Sequence, residues 1–145
     1  MNLYLNLPKV STKTVLLDTG AILSLLDSRD SKHFEAKSLL QKIKSQKLNL
    51  LITNTTIFEA YTRILYDIHW QKAIEFLDDI SSSNIIKERV NEIDEREAEK
   101  MLRKYKNTEI SFVDALNFAV MLRLKFLYVF TFDKDFLTVG FIPFS

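Results

Sequence analysis

The chain has 145 residues, of which 47% are hydrophobic and 27% are charged. This length supports one hydrophobic core, so residues 1–145 are predicted to form a single domain. The 20 Lys and Arg residues nearly balance the 19 Asp and Glu residues, so bulk charge draws the chain neither to nucleic acid nor to an anionic membrane.

The residue types that are missing or rare exclude several kinds of site. The chain has no cysteine, which excludes disulfides, thiolate nucleophiles and cysteine-ligated zinc. Residues 1–10 do not have the pattern of a signal peptide, and no apolar stretch approaches the roughly 20 residues of a membrane span. We therefore expect a cytoplasmic protein without a membrane partner.

The hydrophobic pattern predicts short strands that alternate with helices. With two Gly and two Pro residues, the chain has little material for a hairpin-rich β fold. Strands are predicted at 14–17, 48–53, 84–88 and 127–131, with a further one near 138–142. Helices are predicted at 20–27, 32–46, 55–68, 70–80, 94–106 and 111–124. Residues 1–13 precede the first strand as an extension of unknown role.

This alternation predicts an α/β fold, a central parallel sheet of four to five short strands flanked by helices on both faces. In such sheets, ligands bind beyond the carboxyl ends of the strands. Asp18 follows the first predicted strand in "VLLDTGAI", and Asp133 follows the fourth in "LYVFTFDKDF". Each also has a purely structural interpretation, Asp18 as a helix N-cap and Asp133 as a turn residue.

Two further acids lie on predicted helices. Asp114 begins a helix that is apolar almost all round, where a carboxylate is costly unless it is bonded or bound to a cation. Ser111 and Asp114 also form a capping-box pattern, and Asn117 lies one turn further on. Glu59 lies opposite the apolar stripe of its helix, where a surface pair with Arg63 at i+4 is the simpler interpretation.

Four fragments together resemble the PIN domain, and most closely its VapC-type toxin nucleases. They are "LLDTGAI", "TNTTIFEA", "SFVDAL" and "TFDKDF", in this order and spacing from about residue 14 to the C-terminus. The resemblance implies that the family's acidic quartet around a divalent metal corresponds to Asp18, Glu59, Asp114 and Asp133. It implies supporting roles for Ser111, Thr131 and Asp135. We add Asn117 as a fourth supporting residue, because it lies one helical turn from Asp114.

Four converging carboxylates require compensating positive charge. All-oxygen ligation indicates Mg²⁺ or Mn²⁺, and such a site suits hydrolysis of phosphodiester bonds by water. The resemblance therefore implies a metal-dependent endoribonuclease, the toxin of a type II toxin–antitoxin pair, with RNA as substrate, an antitoxin as partner and a homodimer as its assembly. Arg29, Lys32 and Arg63 are candidate RNA-binding residues, although cations of this kind more often lie on solvated helix faces.

Other functions remain open at this stage. One is a solitary RNA-processing nuclease of the same family, and another is a non-catalytic RNA- or protein-binding module on the same fold. A metal-free ribonuclease would need paired histidines, but nothing in the sequence links His33 to His69. An aspartyl phosphatase would use Asp18 as nucleophile, but position 20, where its second Asp would stand, is Gly.

Overall fold

The computed structural model of the protein describes residues 11–145, which form five strands and seven helices. The strands are β1 (Ser11–Leu17), β2 (Asn49–Thr53), β3 (Ile86–Glu88), β4 (Phe126–Phe130) and β5 (Ile142–Pro143). The helices are α1 (Thr19–Leu26), α2 (His33–Ser45), α3 (Asn54–Asp67), α4 (Trp70–Ser82), α5 (Glu92–Lys104), α6 (Phe112–Leu124) and α7 (Lys134–Val139).

The five strands form one parallel sheet in the order β3-β2-β1-β4-β5. This confirms the predicted α/β fold class. The strand order reverses between β1 and β4, because the chain moves from β1 outward to β2 and β3 and later returns to β4 on the other side. A reversal of this kind opens a crevice at the carboxyl ends of the two central strands, where ligands bind in sheets of this type.

The predicted elements differ from the observed ones at the two ends of the chain. β1 begins at Ser11, so residues 11–13 of the predicted extension belong to the sheet, while residues 1–10 lie outside the described part of the chain. Near the C-terminus the predicted strand at 138–142 is wrong in its bounds. A short helix, α7, occupies Lys134–Val139, and Gly140 ends it in the left-handed conformation with φ 113°.

The two faces of the sheet are covered by different helices. Val15 and Leu17 of β1 point to one face and join buried residues of α1, α2, α3 and α4. Leu16 points to the other face and packs with α6 and α7 residues such as Phe118 and Phe136. Burial on both faces explains why the central strands are almost uniformly apolar in sequence.

Helix α6, which begins at the site, is buried through its middle. Its residues from Ala115 to Met121 are all buried, which confirms the prediction made from its apolar sequence. At its far end Arg123 forms hydrogen bonds to Asp94 at 2.8 and 2.9 Å and to Glu88 at 3.0 Å, so α6 is tied to α5 and β3.

Within residues 11–145, no helix combines the length and the hydrophobicity that a membrane crossing requires.

Candidate active site

The four predicted acids line one cleft of about 470 Å³ at the reversal point of the sheet. The C-terminal ends of β1 and β4 lead to Asp18 and Asp133, while the first turn of α6 carries Asp114. The remaining acid, Glu59, projects from the second turn of α3. The cleft is also lined by Thr19, Gly20, Leu23, Ser24, Asp30, Lys32, Arg63, Ser111 and Phe132.

Asp18 is the most deeply buried of these acids, with 5% of its surface exposed. It occupies the N-cap position of α1, but its side chain makes no capping hydrogen bond, so a capping role does not account for it. Burial raises the pKa of Asp18 to about 7, although a hydrogen bond from Thr131 opposes the shift, and the nearby charges of Asp114 and Asp133 add to it.

Thr131 links two of the acids through one hydroxyl group. Its Oγ1 donates a hydrogen bond to Asp18 Oδ2 at 2.8 Å and accepts one from the backbone N–H of Asp133 at 2.9 Å. Asp133 in turn accepts a bond from the backbone N–H of Asp135 at 2.9 Å, which caps α7. The turn role considered for Asp133 is therefore real, and its carboxylate also lines the cleft.

Asp114 is held by the capping box that its sequence predicts. Its backbone N–H donates to Ser111 Oγ at 3.0 Å, and its Oδ2 accepts from the backbone N–H of Ser111 at 3.2 Å. Burial raises the pKa of Asp114 to about 6, these bonds oppose the shift, and the charges of Asp133 and Glu59 add to it. The cap orients the carboxylate toward the other acids without neutralising it.

Glu59 is half-buried, and the simpler interpretation of it as one member of a surface ion pair is wrong. Arg63 places its Nε 3.2 Å from Asp67 Oδ2, one turn further along α3. Glu59 instead faces the cleft, where its charge raises the pKa of Asp114. The apolar stripe of α3 packs against the core, so Glu59 lies on the opposite side of the helix. The sequence does not show what that side faces, and only the tertiary structure places it at the cleft.

A group of three acids could bind a metal ion within the described residues. Asp114, Asp133 and Asp135 each offer an oxygen, and these three oxygens lie within 4.8 Å of one another. Asp135 does not line the cleft, but burial and the neighbouring Asp133 and Glu109 raise its pKa. Several carboxylates with raised pKa values and oxygen as the only donor match the requirements of a hard divalent cation.

The remaining supporting residue, Asn117, lies outside the cleft. It is completely buried and forms hydrogen bonds with Thr53 and Thr56 at the start of α3. Although Asn117 lies one turn from Asp114, the two side chains therefore have different surroundings, Asp114 in the cleft and Asn117 in the core.

The three candidate RNA-binding cations have different positions. Lys32 and Arg63 line the cleft. Lys32 Nζ lies 3.2 Å from Glu35 and 5.6 Å from the centre of the Phe132 ring. Arg29 does not line the cleft, and its Nε and Nη2 donate hydrogen bonds to the two carboxylate oxygens of Asp27 at 2.9 and 3.0 Å.

The histidines do not form a catalytic pair. His33 Nδ1 lies 2.8 Å from the carbonyl oxygen of Ser24, and His69 accepts a bond from the backbone N–H of Gln71 at the start of α4. Neither residue lines the cleft, so the geometry does not support general acid–base catalysis by these two side chains.

Several residues that line the cleft were not predicted from the sequence, including Thr19, Asp30 and Phe132. Thr19 is 3% exposed, and its Oγ1 is the one buried side-chain polar atom in residues 11–145 without a hydrogen-bond partner. Its position directly after the acid that ends β1 is the signal that would have drawn attention to it. Asp30 and Phe132 lie in loops, where no periodic pattern points to them.

Comparisons with known proteins identify the family and the fold. The family model described as "PIN domain" matches residues 15–142. The fold is also similar to the crystal structure of Mycobacterium tuberculosis VapC20, described as a sarcin–ricin loop cleaving toxin. That comparison has a TM-score of 0.81 and 26% sequence identity, and it covers 88% of this chain and 96% of VapC20.

Two more distant structures share the fold. FitAcB from Neisseria gonorrhoeae has a TM-score of 0.64 at 16% identity, with 90% of this chain and 96% of that chain covered. A toxin–antitoxin complex from Klebsiella pneumoniae has a TM-score of 0.56 at 18% identity, with 83% and 88% covered. No curated protein matches the sequence significantly.

Proposed function

Because the chain belongs to the PIN domain family, we propose that it is a divalent-metal-dependent endoribonuclease and the toxin of a type II toxin–antitoxin pair. The observation that carries the proposal is the convergence of Asp18, Glu59, Asp114 and Asp133 on one cleft, where burial and mutual repulsion raise the pKa of two of them. Such a cluster is unfavourable for stability, and a bound cation would offset its cost.

Mg²⁺ or Mn²⁺ is the proposed cofactor. Asp18, Asp114 and Asp133 would hold it through carboxylate oxygens, and Asp135 is close enough to two of these to contribute. When bound, the ion would polarise a phosphoryl oxygen and lower the pKa of a water molecule. The proximity of the carboxylates supports a hard cation, and so does the lack of histidine and cysteine ligands among the described residues that line the cleft.

The chain's own residues would orient this chemistry. Thr131 would keep the Asp18 carboxylate in place, and the backbone of Ser111 would do the same for Asp114. Glu59 would bind the metal or position the attacking water. Because the attacking oxygen would come from water and not from the ribose 2′-hydroxyl, no 2′,3′-cyclic phosphate would form. We expect the bond between phosphorus and the 3′-oxygen to break and the 3′-oxygen to take up a proton, so that the products carry a 3′-hydroxyl and a 5′-phosphate.

RNA is the proposed substrate, and an antitoxin is the proposed protein partner. VapC20 is described as cleaving a sarcin–ricin loop, and the Klebsiella pneumoniae structure is a toxin–antitoxin complex. Lys32 and Arg63 line the cleft and would bind RNA phosphates, and Arg29 is proposed at its periphery. We also propose a homodimer and a cytoplasmic location, both from the family resemblance.

An RNA cleavage assay tests the proposal. We expect the purified protein to cleave RNA with Mg²⁺ or Mn²⁺, to stop when EDTA is added, and to recover when excess metal is restored. Asp18→Asn and Asp114→Asn should fold but lose at least about a hundredfold in rate. Cleavage that persists in EDTA, or in both variants, would contradict the metal mechanism.

A separate experiment addresses the biological role. If the chain is a toxin, co-expression with a small protein encoded beside it should give a complex that no longer cleaves RNA. Cleavage of a defined RNA without any inhibitory partner would instead support a solitary RNA-processing nuclease. RNA binding without cleavage under all metal conditions would support the non-catalytic module.

A further inference from the structure

A buried hydrogen-bond network connects the helices that carry two of the acids. Thr53, Thr56 and Asn117 are each fully buried. Thr53 Oγ1 donates to Asn117 Oδ1 at 2.7 Å, and Asn117 Nδ2 donates to Thr56 Oγ1 at 3.0 Å. Thr53 Oγ1 also accepts from the backbone N–H of Thr56 at 3.3 Å, which caps α3. The network thus joins the end of β2, the first turn of α3 and the middle of α6.

The network lies one helical turn from each of two acids. Thr56 precedes Glu59 by three residues on α3, and Asn117 follows Asp114 by three residues on α6. Residues three apart on a helix lie on the same side of it. The bond between Thr56 and Asn117 therefore links the segments of α3 and α6 that carry Glu59 and Asp114.

A purely stabilising role does not require polar residues here. Apolar side chains of similar volume fill a buried position without the cost of removing amide and hydroxyl groups from water, and such replacements are often neutral or stabilising. Hydrogen bonds differ from apolar contacts in their direction and length. Because both partners of each bond are fixed in direction and length, a fully satisfied buried network specifies one arrangement of the two helices.

We propose that Thr53, Thr56 and Asn117 are positioning residues that set the separation of Glu59 and Asp114. The inference rests on the proposed function, because it concerns the geometry of the same metal and water site. Groups that orient the ligands of a metal typically contribute about 10- to 100-fold in metal affinity or activity. A displacement of about 1 Å in a reacting group has a comparable effect on rate.

The decisive variant replaces the Thr56–Asn117 bonds with apolar contacts. In Thr56→Val/Asn117→Leu, the Thr53 hydroxyl is not left without partners. It still accepts from the backbone N–H of residue 56, and Thr55 Oγ1 lies 3.2 Å away as a hydroxyl partner. We expect its urea midpoint to remain near that of the wild type. We also expect Mn²⁺ affinity, measured by calorimetry without RNA, and kcat for RNA cleavage each to fall about tenfold, with a smaller change in KM.

A single-residue series gives the same test if the double variant does not fold. Thr56→Ser keeps the hydroxyl group and should retain Mn²⁺ affinity and kcat, whereas Thr56→Val should lower both at a temperature where each variant is folded. Thr62→Val is the matched control, because Thr62 is an exposed residue of the same helix and lies outside the network. It should leave metal affinity and kcat unchanged.

The outcomes separate this inference from the proposed function. Suppose that the wild type binds Mn²⁺ and cleaves RNA. If Thr56→Val/Asn117→Leu or Thr56→Val then has the same Mn²⁺ affinity and the same kcat as the wild type, the positioning role is wrong and the network only stabilises the fold. If the wild type itself neither binds Mn²⁺ nor cleaves RNA, the proposed function fails, and the inference fails with it.

Discussion

The hydroxyl group of Thr131 donates a 2.8 Å hydrogen bond to Asp18 Oδ2, across 113 positions of sequence. The bond joins the residues that follow the two central strands, β1 and β4. It favours the ionised carboxylate, yet burial outweighs it and leaves the pKa of Asp18 at about 7. Asp18 is therefore oriented for a ligand but is not stabilised as a charge by the protein alone.

The first prediction concerns the pH dependence of stability without metal. The folded protein holds the Asp18 proton up to about pH 7, whereas the unfolded chain releases it near 3.8. Stability therefore falls as pH rises through this window. Asp18→Asn removes that loss and should raise the free energy of unfolding at pH 8 by roughly 2 to 4 kcal/mol, with a smaller gain at pH 5. Urea unfolding in EDTA measures both values.

The control for this experiment is Asp78→Asn, since Asp78 is an exposed acid on α4. It should change the unfolding free energy little at either pH. An Asp18→Asn protein that is less stable than the wild type at pH 8 without metal would show that the carboxylate is stabilised by the fold, contrary to the raised pKa.

The second prediction concerns metal binding and pH. With pKa values of about 7 and 6, Asp18 and Asp114 must lose protons before a cation can bind their oxygens. Mn²⁺ affinity should therefore be at least about tenfold weaker at pH 5.5 than at pH 8. The rise in melting temperature on adding Mn²⁺ should shrink accordingly, because a ligand that binds only the folded state stabilises it by RT ln(1 + L/Kd), where L is the free ligand concentration.

Thermal unfolding at the two pH values, with NaCl at equal ionic strength as control, measures this difference. The Asp114→Asn variant should show a reduced Mn²⁺ effect at pH 8. A shift of the same size at both pH values would mean that the ion binds elsewhere on the protein.

The third prediction compares two buried threonines. Thr19 Oγ1 has no hydrogen-bond partner among residues 11–145, whereas Thr56 Oγ1 accepts from Asn117 Nδ2. Thr19→Val removes an unsatisfied buried hydroxyl and should be neutral or stabilising, while Thr56→Val leaves the Asn117 amide without its acceptor and should cost about 1 to 3 kcal/mol. Urea unfolding of the two variants side by side measures the contrast. If both variants lost the same free energy of unfolding, the Thr19 hydroxyl would have a hydrogen-bond partner in solution.

The fourth prediction concerns the ion pair at the end of α6. Asp94 is 1% exposed, and although burial raises its pKa, the hydrogen bonds from Arg123 bring it below the ordinary value. Arg123→Met would leave this carboxylate buried without a cation and should lower stability by about 3 kcal/mol. Chemical denaturation measures the loss.

Arg103→Met is the matched control for that substitution. Its guanidinium group lies 3.8 Å from Glu99, and both side chains are exposed. An exposed pair of this kind should contribute less than about 1 kcal/mol. If the two arginine variants lost the same amount, burial of Asp94 would not be the cause.

The fifth prediction separates the candidate RNA-binding cations. Lys32→Ala and Arg63→Ala should raise KM for RNA and weaken its salt dependence, because each removes a cation from the cleft. Arg29→Ala should have a smaller effect, since Arg29 is bonded to Asp27 away from the cleft. Cleavage rates across a series of salt concentrations provide the measurement. An Arg29 effect as large as that of Lys32 would place RNA along the Asp27 side of the protein.

Much of the fold could be predicted because it depends on local patterns. Apolar runs such as "VLL" and "LLIT" indicate strands buried on both faces, and their alternation with helices implies a parallel sheet. Helix α7 was missed because its six residues are too few to show a helical period. β5 was misplaced because its pairing with β4 depends on backbone position and not on composition.

The candidate site was only partly predictable. Asp18, Asp114 and Asp133 could be selected from their positions at strand and helix ends, and the capping box of Ser111 and Asp114 follows from spacing alone. Glu59 required the resemblance to the PIN domain, because a glutamate on the polar side of a helix has no distinctive local signal. The partners of Asn117 could not be predicted, since Thr53 and Thr56 lie more than 60 residues away.

By itself, the sequence determined the order of strands and helices as far as β4, the acids at their ends and the local caps, because these depend on propensities and spacings within a few residues. The tertiary structure alone decided that Glu59 faces Asp114 and not Arg63, that Thr131 bonds Asp18, and that Arg29 lies outside the cleft. The physical reason is that burial and charge coupling depend on distances in space, which arise only when the reversal of strand order brings β1 and β4 together.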